Sequence, residues 1–282
     1  MRPGDTTTFR GPSLIDGHVH FHGGFGRAAF LTVAAGNFSR AAREQGISES
    51  HLGWLLFTES RGKDHFAEFR RAVGEKDIPG WSLRETAESC SLIAENVDHD
   101  RLVLVAGRQI VVAEGLEVLA LGLVGDYPDG ASLADTLDDV AARQAIPVLP
   151  WGFGKWWFRR GQIMEQLVRG PGRRDFYLGD NGGRPQLFPD PKLFRSARSM
   201  GILNLPGSDP LPLARSIHKV GCFGFRIDSS IDLSRPFDSL KTALNISGSQ
   251  PATFGGRTGF LPFLRDQVAL RLGGKRQPGA LV

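Results

Sequence analysis

Three histidines and an aspartate alternate along one short stretch, Asp16-Gly17-His18-Val19-His20-Phe21-His22. Successive side chains of an extended strand point to opposite faces, so this spacing predicts that the four side chains share one face while the strand continues. A His-x-His pair can present two ring nitrogens to one metal ion, and imidazole is the commonest ligand of zinc-like metals. We therefore predict a site for a divalent metal, zinc, manganese or iron. A hydrogen-bonded histidine loop without metal is the alternative.

Two carboxylates follow later predicted strands. Glu59 comes directly after the apolar run Gly53 to Thr58, and Asp209 follows the run Ile202 to Leu205. In α/β proteins the ends of parallel strands meet at the edge where sites are built. Both side chains are therefore predicted to reach the edge at which the histidines lie. For Asp209, a Ser-Asp-Pro turn that starts a helix is an equally supported interpretation. For Glu59, as for the neighbouring Arg61, a solvated surface position is the alternative.

An aromatic and basic stretch, residues 151–160, follows another predicted strand. Lys155 and Arg159 from this stretch, together with Arg61 after the second strand, could neutralise a phosphate or carboxylate group. Trp151 could stack on a ring of the ligand. These four residues are the predicted substrate-binding set. The alternative is that the tryptophans are buried and the arginines face water.

Elements that could position these residues alternate along most of the chain. Short apolar runs alternate with amphipathic stretches, which is typical of strands and crossover helices around a mainly parallel sheet. The clearest predicted helix is Leu133 to Gln144, because Ser132 is a good N-cap and the apolar residues follow one stripe. The stretch Gln109 to Leu121 predicts a β-hairpin with Glu114-Gly115 at its turn.

The composition indicates a globular chain with a basic bias. The formal net charge is +4 and the isoelectric point is near 9.3, with more arginine than lysine. This favours a small anionic ligand, such as a phosphorylated one, while the scattered charges argue against a nucleic-acid partner. The sequence shows neither a secretory signal nor a long apolar run, which predicts a cytoplasmic protein without a membrane partner. The oligomeric state is left open.

Several motifs resemble those of the polymerase and histidinol phosphatase (PHP) superfamily, in the order in which that family has them. The opening stretch Leu14 to His20 is similar to the family's first motif. The later matches are Trp54 to Ser60, Val105 to Ile110 with Gly115 to Gly122, Pro147 to Gly152, Asn204 to Asp209, and Gly221. The resemblance implies one domain with a distorted (β/α)7-type, TIM-like barrel over residues 13–247. Residues 1–12 are then an N-terminal extension, and residues 248–282 a tail rich in Gly, Pro and Arg.

The chain departs from the family pattern at most of the metal ligands. The residues at those positions are Ser60, Gln109, Pro150 or Trp151, and Leu211. These departures argue against a full three-metal centre of the PHP kind. The resemblance implies that the remaining metal ligands are His18, His20 and Asp209, with Glu59 in place of the family's aspartate and Asp180 as a further candidate carboxylate. These ligands could still hold one ion with an open position for water, with Asp209 and Glu59 as the catalytic groups.

The resemblance implies a metal-dependent hydrolase, and more specifically a phosphoesterase that acts on a small phosphorylated substrate. Two alternatives stay open. One is a degenerate, non-catalytic barrel of the PHP kind that binds an anion or a partner protein. The other is an amidohydrolase-like C–N hydrolase, because that family shares the first motif. Against it, that family needs a lysine and two further histidines at later strand ends, and those histidines are missing.

Overall fold

The secondary structure is taken from a computed structural model, which describes residues 7–48, 50–75, 77–152, 154–170, 175–185, 189–257, 259 and 265. The α-helices are α1 (Arg27–Glu44), α2 (His65–Arg71), α3 (Leu133–Ala142), α4 (Arg159–Arg169), α5 (Lys192–Ser199) and α6 (Pro236–Ser247), with a 3-10 helix at Ala214–Lys219. The first strands are β1 (Thr8–Phe9), β2 (Ser13–Val19), β3 (Leu52–Phe57), β4 (Glu59–Ser60), β5 (Trp81–Glu85), β6 (Ser91–Asn96) and β7 (Arg101–Val105). The later strands are β8 (Gly107–Val111), β9 (Glu117–Leu121), β10 (Ile146–Pro150), β11 (Tyr177–Gly179), β12 (Phe223–Ile227), β13 (Ile231–Asp232) and β14 (Ala252–Gly255).

These strands form three sheets. A seven-stranded sheet has the order β14-β12-β2-β3-β7-β6-β5, a five-stranded sheet has the order β11-β10-β9-β8-β4, and β1 pairs with β13. The pairs β2–β3, β3–β7, β4–β8 and β10–β11 are parallel, whereas the remaining pairs between these strands are antiparallel. The strands are mostly apolar and buried; β2 and β3 are buried along their whole lengths.

The predicted distorted (β/α)7-type barrel is wrong. None of the three sheets in the described residues closes into a barrel, and antiparallel pairs outnumber parallel ones. A (β/α) barrel joins parallel strands through helices, whereas β5, β6 and β7 follow one another as antiparallel neighbours. Consecutive strands also belong to different sheets, since β3 and β7 lie in the seven-stranded sheet and β4 and β8, which follow them, lie in the five-stranded one. At Thr58 the backbone N–H donates to the carbonyl of Val19, and at Ala106 it donates to that of Cys90.

The locally encoded elements agree with the sequence. The hydroxyl of Ser132 accepts a hydrogen bond from the backbone of Asp135, which caps α3 as its sequence predicted. The hairpin is also confirmed, because β8 and β9 pair antiparallel and Gly115 at their turn has φ of +71°. A glycine adopts this left-handed conformation without steric cost.

Parts of the predicted terminal extensions take part in the sheets. β1, within the predicted N-terminal extension, pairs with β13, and β14, within the predicted tail, pairs with β12. The rest of the tail from residue 258 onward lies outside the described residues, apart from residues 259 and 265. Among the described residues, no helix combines the length and the apolar character needed to cross a bilayer.

Candidate metal centre

The end of β2 and the segment of residues 203–209 bring together two imidazoles and a carboxylate. His18 lies in β2 and His20 directly follows it. The backbone of the 203–209 segment bonds to β11 on one side, where the N–H of Leu205 donates to the carbonyl of Leu178 at 2.7 Å. On the other side it bonds to β2, where the N–H of Gly17 donates to the carbonyl of Pro206 at 3.1 Å.

The three side chains offer ligand atoms at close range. The Nε2 atoms of His18 and His20 are 3.1 Å apart, and they lie 3.6 and 3.4 Å from Oδ1 of Asp209. One ligand atom from each residue lies within 4.8 Å of the others. The side chains of His18, His20 and Asp209 are 5%, 14% and 22% exposed, so the group is largely shielded from solvent. Two imidazoles and a carboxylate are a donor set suited to a zinc-like ion.

Burial and mutual charge set the protonation of this group. Burial, together with a smaller effect of the neighbouring His18, lowers the pKa of His20 to about 3. Burial alone would raise the pKa of Asp209, but the adjacent histidines and Lys155 outweigh that effect and hold its pKa below the usual value. His20 is therefore neutral and Asp209 ionised near neutral pH, which are the forms that bind metals.

Asp209 is held in an unusual conformation by its neighbours. Its φ is +48°, in the left-handed region that non-glycine residues seldom adopt, and its N–H donates to the carbonyl of His18 at 2.8 Å. Nδ2 of Asn181 donates to Oδ2 of Asp209 at 3.0 Å, on the oxygen that does not face the histidines. Asn181 is not among the predicted site residues. The sequence feature that could have identified Asn181 is its position just after a predicted strand, next to the candidate ligand Asp180.

His22 lies beside the histidine pair. Its ring stacks on that of His20 with centroids 5.8 Å apart, and its Nε2 is 2.8 Å from the carbonyl oxygen of Pro210. Burial lowers the pKa of His22. This ring therefore contacts the backbone directly after Asp209 rather than joining the three ligand atoms.

Asp16 does not join the histidines, although it alternates with them in sequence. Its carboxylate accepts hydrogen bonds from the backbone and hydroxyl of Ser208, at 2.7 and 2.5 Å, and from the backbone of Gly221 at 2.8 Å. Asp16, although predicted to share a face with the histidines, is therefore not one of the three grouped ligand residues. Its register with β3 is interrupted between Asp16 and Val19, which breaks the strict alternation.

The other candidate carboxylates have partners elsewhere. Glu59 is buried, accepts a hydrogen bond from the backbone of His65 at 2.6 Å, and lies 3.8 Å from Arg108. Asp180 makes a two-point ion pair with the buried Arg184, at 2.8 and 2.6 Å. Neither joins the three ligand atoms. Burial raises the pKa of Glu59, against the opposing effect of its hydrogen bonds and of Arg108.

The predicted substrate-binding residues lie at different depths. Lys155 is half-buried and forms an ion pair with Glu117, and its positive charge contributes to lowering the pKa values of His20 and Asp209. Arg61 and Arg159 are exposed. Trp151 is buried in a core cluster with the guanidinium of Arg184 5.9 Å above its ring.

The comparisons with known proteins show a likeness in fold to solved structures. No protein-family model matches the chain, and no curated protein matches it at a significant level. Among solved structures, the chain is similar to PsfC from Pseudomonas syringae PB-5123, with a TM-score of 0.54. The sequence identity is 14%, and the match covers 94% of this chain and 99% of the PsfC chain. At this identity the match shows that the two chains share a fold.

Proposed function

We propose that this chain is a metal-dependent hydrolase related to the PHP superfamily, which cleaves a phosphate ester in a small anionic substrate. The observation that carries the proposal is the convergence of His18, His20 and Asp209, whose ligand atoms lie within 4.8 Å of one another. These are three of the four predicted ligands. Cys90 and Cys222 are free thiols, which agrees with the cytoplasmic location that forms part of the proposal.

The residues of this group fit one divalent ion. Nε2 of each histidine and Oδ1 of Asp209 would hold it, because the histidine Nε2 atoms face each other and the same carboxylate oxygen. Zinc, manganese and iron all accept this donor set. A bound ion of this type supplies a Lewis acid and lowers the pKa of its coordinated water toward neutrality.

The surrounding residues supply charge for an anion. Lys155 is half-buried and its ammonium group is held by its ion pair with Glu117. An ammonium group forms charge-assisted hydrogen bonds with phosphate oxygens, and Lys155 would neutralise part of the substrate's charge in this way. Arg61 and Arg159 would have to reach the substrate from exposed positions.

The reduced ligand set supports a single ion rather than a larger centre. Glu59, the fourth predicted ligand, is engaged by the N-terminus of α2 and by Arg108. A non-catalytic protein that binds an anion or a partner is the second candidate, and the same observation favours it.

Metal content and turnover test the proposal together. The protein should be purified without a histidine tag or chelator, and its zinc, manganese and iron measured per chain by elemental mass spectrometry. We expect close to one ion per chain, and hydrolysis of at least one member of a phosphate-ester panel. The double variant His18→Ala/His20→Ala should lose both the ion and the turnover.

The matched control is the double variant His99→Ala/His218→Ala, which removes two exposed histidines and should keep metal and turnover. A folded wild-type protein that carries no ion even after metal is added would contradict the proposal. Stoichiometric metal without turnover on any ester would overturn the phosphoesterase assignment and favour the non-catalytic candidate.

A further inference from the structure

We infer that Asn181 is a positioning residue that fixes which oxygen of Asp209 is presented to the metal. The inference rests on the proposed function, because it concerns the same three-ligand group. Nδ2 of Asn181 donates to Oδ2 of Asp209 at 3.0 Å and to the backbone carbonyl of Trp151 at 3.0 Å. Oδ1 of Asp209 is thereby the oxygen left to face His18 and His20.

The orientation of the Asn181 amide is determined by its partners. Both acceptors, the Asp209 carboxylate and the Trp151 carbonyl, are oxygens without a proton to donate, so the NH₂ group must be the one that faces them. Oδ1 of Asn181 is buried and has no hydrogen-bond partner among the described residues. The donor end of the amide is therefore fully used, and no other described contact competes for it.

Asn181 is itself held by the backbone of its own strand end. Its carbonyl accepts a hydrogen bond from the N–H of Arg184 at 3.1 Å, and it forms a bridge with Gly207 in the 203–209 segment. The residue as a whole is 9% exposed. The donor is thus placed by rigid backbone contacts rather than by a flexible loop, as a positioning group requires.

The contact decides how Asp209 can bind an ion. A carboxylate oxygen that already accepts a hydrogen bond is less available to a metal, so Asp209 is set to bind through Oδ1 alone. The N–H donor also stabilises the ionised carboxylate. Without Asn181 the carboxylate could rotate or bind through both oxygens, and the geometry of the ion would change.

Asn181 also links the metal ligand to the segment that carries the proposed phosphate-binding lysine. The carbonyl it contacts belongs to Trp151, and the backbone of Lys155 returns to the next residue, donating to the carbonyl of Gly152 at 3.0 Å. One amide group therefore connects Asp209 with the start of the turn that presents Lys155.

Metal affinity and the spectrum of a bound metal test this role. The dissociation constant for zinc should be measured by competition with a chromogenic chelator for the wild type, Asn181→Ala and Asn181→Leu; the leucine variant keeps the bulk that alanine removes. We expect both variants to bind zinc about 10- to 100-fold more weakly, the usual cost of losing a hydrogen bond to a metal ligand. In the cobalt(II)-loaded variants the visible absorption bands should shift, because the coordination by Asp209 changes.

Asn37→Ala is the matched control, since Asn37 is also buried and donates its amide to two backbone carbonyls, those of His218 and Val220. None of its described contacts is with a ligand residue. It should lower the melting temperature yet leave the zinc affinity and the cobalt spectrum unchanged. If the folded Asn181 variants bind zinc within twofold of the wild type and show an unaltered cobalt spectrum, the positioning role is overturned but the proposed function is not. A wild type that binds neither metal would overturn both this inference and the proposed function.

Discussion

Asp16 joins three parts of the chain through a single buried carboxylate. It lies in β2, and it accepts hydrogen bonds from Ser208 in the 203–209 segment and from Gly221 before β12. Burial raises the pKa of Asp16 to about 7, although each of these hydrogen bonds lowers it. Because Ser208 directly precedes Asp209, this carboxylate also fixes the backbone from which the third candidate ligand projects.

We predict that Asp16→Ala lowers the free energy of unfolding by about 2 to 4 kcal/mol. The substitution leaves the N–H groups of Ser208 and Gly221 buried without an acceptor, and each such group costs about 1 to 3 kcal/mol. Urea unfolding followed by circular dichroism measures the change. Asp98→Ala, at an exposed aspartate, is the control and should alter the free energy by less than about 0.5 kcal/mol. A loss below about 1 kcal/mol for Asp16→Ala would contradict the structural role.

The ligand residues differ in how far their roles followed from sequence. The alternation in β2 is a local pattern, and it correctly grouped His18 with His20 because both imidazoles project toward the same place. The alternation did not indicate the partners of Asp16, because its donors Ser208 and Gly221 lie in distant segments of the chain. Glu59 likewise found its partners in α2 and Arg108, which no spacing in the sequence indicates.

At the scale of elements, β2 and the 203–209 segment approach so closely that glycine is required between them. A Cβ atom on Gly207 would lie 2.1 Å from the backbone nitrogen of His18, and one on Gly17 would lie 2.8 Å from the carbonyl oxygen of Pro206. Backbone atoms cannot move aside as a flexible side chain can. These two glycines therefore set the spacing that brings Asp209 within reach of the histidines.

We predict that Gly207→Ala destabilises the protein by about 2 kcal/mol or more and abolishes stoichiometric metal binding. The added methyl group must push the 203–209 segment away from β2, and forced overpacking of this kind typically costs 1 to 3 kcal/mol. Thermal unfolding and the bound metal per chain measure the two effects. Gly36→Ala is the control, because that glycine lies in α1 with open space around it and should gain about 0.5 to 1 kcal/mol. Undiminished metal binding in Gly207→Ala would refute the close approach.

The elements were predictable where their signals are local. The cap of α3 at Ser132 and the turn of the β8–β9 hairpin at Gly115 depend on residues a few positions apart. The division into sheets was not predictable in this way. It depends on the residues that separate consecutive strands, Thr58 between β3 and β4 and Ala106 between β7 and β8. The backbone N–H groups of these two residues donate to the carbonyls of Val19 and Cys90.

On the scale of the whole molecule, the candidate centre exists only in the folded chain. Two of its ligands lie near the start of the sequence and Asp209 lies far along it, and they meet only when the 203–209 segment is bonded to β2. Most of the buried apolar residues form one large cluster that includes side chains from β2, β3, α1 and α6. Folding of this core therefore precedes or accompanies assembly of the centre.

We predict that added zinc raises the thermal midpoint of the wild type and that a chelator reverses the rise. A metal that binds the folded but not the unfolded chain stabilises the fold by RT ln(1 + [metal]/Kd), which is about 2.7 kcal/mol at 100 times Kd. For a chain of this size that corresponds to about 5 °C. Scanning calorimetry across a zinc series measures the shift, and the His18→Ala/His20→Ala variant should show none while its own midpoint without metal stays close to that of the wild type. An equal zinc-dependent rise in both proteins would mean that the stabilising ion binds elsewhere on the chain.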